Sequence, residues 1–175
     1  MGTRCDGRAG DVHAVALRML SRRAHSRREL EEKLARKGFL PQVVAAELRR
    51  LERVGLLDEA ELARAVGRAQ LRRGSSRRGL AAELRRRLLD EEHAAAALAE
   101  VGENEQREAL FVALGRALRR HGLGGDLPGT RRKVIRYLLA RGFPAAEVFQ
   151  AVAARVGENE DAEEAVELAD PPDVP

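Results

Sequence analysis

The chain has 175 residues, 44% hydrophobic and 34% charged, with four Phe, one Tyr, no Trp and one Cys. The apolar share excludes wholesale disorder, and because Ala, Leu and Val carry it, with little that favours strands, the chain reads as all-α. Of 32 basic and 28 acidic groups, eight acids and no base fall in residues 158–175, which leaves a body of net +12 behind an overall +4; such a body suits a polyanion or an acidic protein surface, although Arg-coated helices can also be merely solvated.

No uncharged apolar run approaches the roughly 18 residues that cross a bilayer, and the first residues lack an apolar signal core, so a cytoplasmic chain with no membrane partner is expected. The lone Cys5 agrees with a reducing compartment.

In chain order, residues 1–10 form a polar leader expected to be disordered, and an amphipathic helix is predicted over 12–23. Residues 26–48 then read as two short helices. The pattern returns as a helix over 58–73 with a pair over 76–98, and again as a helix over 104–120 with a pair over 130–152, after a Gly-rich loop at 122–129. The acidic tail follows. The three paired segments align without a gap: each opens with a hydroxyl and two arginines (Ser26-Arg27-Arg28, Ser76-Arg77-Arg78, Thr130-Arg131-Arg132), then places apolar residues four apart, Leu30/Leu34, Leu80/Leu84 and Val134/Leu138. Ser or Thr supplies an N-cap oxygen, and Glu29 completes a capping box in the first copy. Gly38-Phe39 and Gly142-Phe143 read as left-handed helix ends, and Pro41 and Pro144 suit the next first turn. The middle copy has Leu88-Leu89 at that turn and Gly79 inside a helix, where Gly costs about 0.5–1 kcal/mol relative to Ala, so a looser middle unit is expected.

The expected organisation is therefore an elongated array of three tandem three-helix, helix-turn-helix-like repeats at 11–56, 57–102 and 103–157, flanked by the leader and by the tail at 158–175.

Catalysis finds little support. Residues 124–129 have the spacing of a phosphate loop, but Thr130 follows where Lys is required and no strand precedes. His13, His25, His93 and His121 are scattered singly at expected surface or boundary positions without metal-ligand spacing, no nucleophile has an evident base, and neither metal nor cofactor is expected. Phe39, Phe111, Tyr137, Phe143 and Phe149 fall mostly on apolar stripes and are expected in the core, which argues against base stacking. The Arg pairs are the sharper feature. A cation in a first helical turn opposes the macrodipole at roughly 0.3–1 kcal/mol, whereas a helix N-terminus with two arginines suits phosphate or carboxylate.

The stretches ALRMLSRRAHSRRELEEKLARKG (16–38), VGLLDEAELA (54–63) and RKVIRYLLARGF (132–143) resemble the RecX regulatory proteins, over about residues 12–156. The resemblance implies a non-enzymatic cytosolic regulator that binds the RecA recombinase, lodges in the groove of its filament on DNA, and restrains its ATPase, strand-exchange and coprotease activities. The expected contacting face comprises Arg27, Arg28, Lys33, Lys37, Arg72, Arg73, Arg77, Arg78, Arg131, Arg132 and Lys133 of a monomer. The alternatives are a sequence-independent protein that binds single- or double-stranded DNA through its basic surface, and a helical scaffold with neither activity.

Overall fold

The structure, a computed structural model, describes residues 9–121 and 127–156, and these form nine α-helices with no strand: α1 (Ala9–Leu20), α2 (Arg27–Arg36), α3 (Pro41–Arg53), α4 (Glu59–Arg72), α5 (Arg77–Arg86), α6 (Glu91–Ala99), α7 (Glu103–His121), α8 (Leu127–Ala140) and α9 (Ala145–Val156). None of the described helices is long and apolar enough to cross a membrane. The leader with Cys5, most of the Gly-rich loop, the side chain of His121 and the acidic tail lie outside the described residues.

Local chemistry accounts for most of the boundaries. Ser26 caps α2: its hydroxyl accepts the Glu29 N–H at 3.1 Å while the Glu29 carboxylate accepts the Ser26 N–H, the reciprocal pair of a capping box. Ser76 accepts the Gly79 N–H at 3.0 Å at the start of α5. Pro41 occupies the first position of α3, where its missing N–H costs nothing. Gly38 and Gly142 end α2 and α8 at φ +86° and +80°, and Phe39 and Phe143 fold back so that their N–H groups reach the carbonyls of Leu34 and Leu138. In the middle copy Leu88 adopts the same left-handed conformation at φ +52°, and Leu89 N–H reaches the Leu84 carbonyl. The turn is thus retained by a residue that strains to make it, at about 1–2 kcal/mol.

The third copy departs from expectation. Helix α8 begins at Leu127, so Thr130 is its fourth residue rather than its cap, and Arg131 and Arg132 lie beyond the first turn. Residues 127–129 of the phosphate-loop look-alike are helical.

The described residues divide into two packed units. The first comprises residues 9–67 and 81–100, and the second comprises 68–80, 101–121 and 127–156. In the first, α1, α2 and α3 pack together around Val12, Ala16, Leu30, Leu34, Phe39, Val44, Leu48, Leu51 and Leu57. In the second, α7, α8 and α9 enclose Leu110, Leu114, Val134, Leu138, Phe143, Val148 and Val152, with Ala109, Ala113 and Ala117 allowing close approach along α7. Both cores come from apolar residues three and four apart, one stripe per helix. In α6 the fully buried residue is Ala97, with Ala94 and Leu98 only half-buried.

Candidate functional site

The helix starts that carry the Arg pairs are also where each unit ties distant segments together. At α2, the Ser26 hydroxyl accepts the capping N–H and donates to the backbone carbonyl of Arg87 at 2.7 Å. Arg87 returns the contact, its Nε to Glu29 Oε1 at 3.1 Å and its terminal amine to the Ala24 carbonyl at 2.7 Å. Glu29 also takes two parallel bonds of 3.0 Å from Arg23. Burial pushes the Glu29 carboxyl up, but the Arg23 hydrogen bonds and the charges of Arg87 and Arg23 outweigh it and hold the group below its ordinary value.

His25 sits in the same network. Expected at a surface or boundary position, it is instead 4% exposed, with Nδ1 at 2.9 Å from the Arg23 carbonyl and Nε2 at 2.8 Å from Lys33 Nζ. A carbonyl only accepts and an ammonium only donates, so the ring carries its proton on Nδ1 and is neutral. Burial, with Arg23 and Lys33 close by, holds its pKa below the usual histidine value despite the carbonyl bond.

The second unit repeats the arrangement at α5. The Ser76 hydroxyl caps Gly79 and donates to the Arg141 carbonyl, just before the Gly142 turn. The Arg27 N–H donates to Glu59 Oε1 at 2.8 Å, and the equivalent Arg77 N–H donates to Gln106 Oε1 at 2.9 Å. Both helix starts expected to bind an external anion therefore have the first N–H engaged by the protein itself, at α2 by a carboxylate.

The eleven cations singled out from the sequence fall into two groups. Three are internal: Arg27 is ion-paired with Glu52, Lys33 is bound to His25, and Arg131 is 7% exposed in α8. Eight, namely Arg28, Lys37, Arg72, Arg73, Arg77, Arg78, Arg132 and Lys133, are exposed, and their side chains have no ion pair or hydrogen bond among the described residues. Arg28, Arg77 and Arg78 remain in first turns, where an offsetting anion is most favourable. The stem of Arg78 also lies over Gly142, where an added Cβ would fall 2.7 Å from Arg78 Cδ.

Three residues that sequence spacing did not join meet in the first unit. Donor atoms of Glu59, Asp90 and His93 lie within 4.8 Å of one another, the combination of described residues suited to a metal ion. Each is already employed. Glu59 accepts the Arg27 N–H, and Asp90 caps α6 by accepting the His93 N–H at 2.8 Å while facing His93 Nδ1 at 2.7 Å. Burial and the neighbouring Asp90 carboxylate raise the Glu59 pKa, whereas the His93 N–H foremost, together with the His93 ring, lowers that of Asp90. Helices α4 and α6 both start here, and their N-terminal dipoles oppose a cation.

Among the aromatics, Phe39 and Phe143 are buried as expected and Phe149 and Tyr137 half-buried, with Arg141 over the Tyr137 ring at 4.7 Å. Phe111 is instead 43% exposed, because Leu110 and Leu114 take the buried stripe of α7. His13 is half-buried, a boundary position as expected, and is held there by Glu47 at 2.6 Å.

Residues 13–51 match the family model described as RecX, first three-helix domain. Curated relatives named regulatory protein RecX include one from Halorhodospira halophila, 40% identical over 146 residues that cover 82% of this chain and 87% of the relative. Another, from Mycobacterium sp. (strain JLS), is 36% identical over 159 residues, 87% of this chain and 86% of the relative. The crystal structure of RecX from Lactobacillus salivarius superposes with a TM-score of 0.70 at 18% identity, covering 83% of this chain and 95% of that one, a likeness of fold. Identity at this level over most of the length places the chain in the RecX family of regulatory proteins.

Proposed function

We propose that this chain binds the RecA recombinase filament and restrains its ATPase, strand-exchange and coprotease activities, acting as a protein regulator without chemistry of its own. The observation that carries the reading is the set of eight exposed cations without a partner in their own units. Surface arginines in a chain with 28 acids are commonly neutralised locally; these are not. They recur in all three segments, so several weak contacts with a repeating partner raise the effective concentration of each next contact without demanding high affinity at any one.

The site chemistry favours a proteinaceous or phosphate anion over a catalysed substrate. Arg72, Arg73, Arg77, Arg78, Arg28, Lys37, Arg132 and Lys133 are the contacts we assign. Arg27, Lys33 and Arg131 support them from within.

The test is RecA ATPase on single-stranded DNA with substoichiometric protein. Arg72→Glu, Arg73→Glu and Arg77→Glu combined should weaken inhibition at least about tenfold, the loss of one or two charge-assisted contacts. Glu suits the first turn of α5 at position 77 but opposes the last turn of α4 at position 72, at roughly 0.3–1 kcal/mol each, so the two terms offset and circular dichroism checks that the variant is folded. Undiminished inhibition by that folded variant overturns this face. Binding bare single-stranded DNA in preference to RecA-coated DNA, with steep salt dependence and no effect on ATPase, would instead favour the DNA-binding reading.

A further inference from the structure

The positive charge is unevenly shared between the two units. The described residues of the first hold 15 basic and 14 acidic groups, a net +1, whereas those of the second hold 15 and 4, a net +11. Like charges gathered in one unit repel one another and draw a polyanion. The chain carries its own counter-charge next to them. Helix α9, which packs on α7 and α8, ends at Val156, and residues 158–175 that follow hold eight acids and no base.

Helix α7 of the same unit has an uncovered face. Phe111 and Val112 are 43% and 37% exposed, the large apolar side chains left outside among the described residues of this unit. Gly115 continues the face one turn beyond Phe111, and Arg119 folds back along it, its Nη1 3.5 Å from where a Gly115 Cβ would stand. From Ala109 onward α7 carries Arg116, Arg119 and Arg120 and no acid. Arg116 donates to the Arg73 carbonyl, whereas Arg119 and Arg120 have no partner among the described residues.

The acidic tail complements this face in both respects. Ala162, Ala165, Val166 and Ala169 recur at the spacing of an apolar helical stripe, and Glu160, Asp161, Glu163, Glu164, Glu167 and Asp170 fall on the opposite side. Reach is ample: the 19 residues beyond Val156 extend to at most about 60 Å, and α7 is about 28 Å long. A second copy is the poorer occupant. Two partly exposed side chains fall far short of the roughly 1,200 Å² that a stable interface buries, whereas a tethered segment meets the face at about millimolar effective concentration.

We propose that residues 160–170 dock on this face of α7, the apolar stripe against Phe111 and Val112 and the carboxylates against Arg119 and Arg120. The docked tail holds its charge against the second unit and so competes with polyanions for it. The contact uses none of the cations assigned to the filament, so either proposal can fail alone.

The chain has no Trp, so Phe111→Trp places a single indole on the face, and its quenching by neutral acrylamide in the full chain reads whether the face is covered. Adding Val166→Asp, which breaks the stripe, should raise the quenching constant at least about twofold, the mark of a face covered more than half the time. Glu163→Gln, Glu164→Gln and Glu167→Gln combined, which keep the stripe and remove three charges, should raise it too. All these tail positions fall outside the described helices, and circular dichroism checks that helix content is kept. The extra acid separates docking from bulk charge. Val166→Asp should bind single-stranded DNA more tightly than the parent at low salt, because the released tail no longer covers α7, whereas a tail acting through net charge alone would leave binding equal or weaker. Unchanged quenching in both tail variants, or equal or weaker DNA binding by Val166→Asp, overturns the proposal. Quenching that falls with protein concentration and ignores the tail changes also overturns it, and assigns the face to a second copy.

Discussion

The double use of the serine hydroxyls makes Ser26→Ala the most informative perturbation. The hydroxyl is fully buried, accepts the Glu29 N–H and donates to the Arg87 carbonyl 61 residues away. Loss of an N-cap costs about 0.5–2 kcal/mol. The Arg87 carbonyl, left without its donor, adds a desolvation cost of about 1–3 kcal/mol. One group serves both bonds, so the costs overlap and a total of about 2–3 kcal/mol is expected. Ser76→Ala should match it, since Ser76 is equally buried and spans to the Arg141 carbonyl. Thr130→Ala is the internal control: it opens no helix and should lose less than about 1 kcal/mol. For a chain of this length each kcal/mol moves the thermal midpoint by about 2–4 °C. Scanning calorimetry therefore separates Ser26→Ala from Thr130→Ala by several degrees, and amide exchange at Glu29 should speed up more than at neighbouring core amides. Equal losses for the Ser26 and Thr130 variants, or unchanged exchange at Glu29, would refute the claim that these hydroxyls tie the segments together.

Three further outcomes are expected. Gly38→Ala meets no atom within 4 Å and should cost only the left-handed backbone term of about 1–2 kcal/mol, whereas Gly74→Ala, whose Cβ would fall 2.8 Å from Ala113 N and 3.0 Å from Ala109 O, should lose about 1–3 kcal/mol more, as read by urea midpoints. Because the pKa of His25 is depressed in the folded chain, its contribution is present above the ordinary value of 6.5 and is lost as pH falls through the folded value; stability measured from pH 7.5 downward should drop in that window, and His25→Gln should flatten the drop. Glu59 has the opposite sign: its raised pKa stabilises the chain below about 4.5 and that gain disappears as pH rises through the folded value, so Glu59→Gln, which copies Gln106 as acceptor, should remove this slope and hold or raise stability at neutral pH.

What could be read along the chain was what neighbouring residues decide. Ser26 with Glu29 three positions on, Gly38 before Phe39, and Leu30 with Leu34 each specify a cap, a stop and a buried stripe within one or two turns, and each appears in the structure. Features that depend on where a second segment lands were not readable. His25 precedes a cap and reads as a surface or boundary residue; Arg23, Lys33 and Arg87 converge on its surroundings only in the folded unit. Phe111 looked like a core residue because α7 is apolar on several sides, and at 100° per residue the choice of Leu110 for the stripe turns its successor outward.

The repeated hydroxyl-Arg-Arg signature shows the same division within three residues. Recurrence alone could not separate a binding motif from a structural one, and the structure assigns its members different roles. Ser26 and Ser76 are structural twice over, as cap and as donor to a distant carbonyl. The first arginine of the first two pairs gives its backbone N–H to a side chain from a following helix, Glu59 or Gln106, and at Arg27 the guanidinium is held by Glu52 as well. The macrodipole penalty of that cation is thus offset inside the protein, so Arg27 requires no external anion to explain it. Arg28 and Arg78 have no such offset, and Arg77 has it only through its backbone. The unfavourable first-turn charge that remains is concentrated on these three of the eight cations assigned to the filament, whereas Arg27, though part of the same motif, is satisfied within the protein.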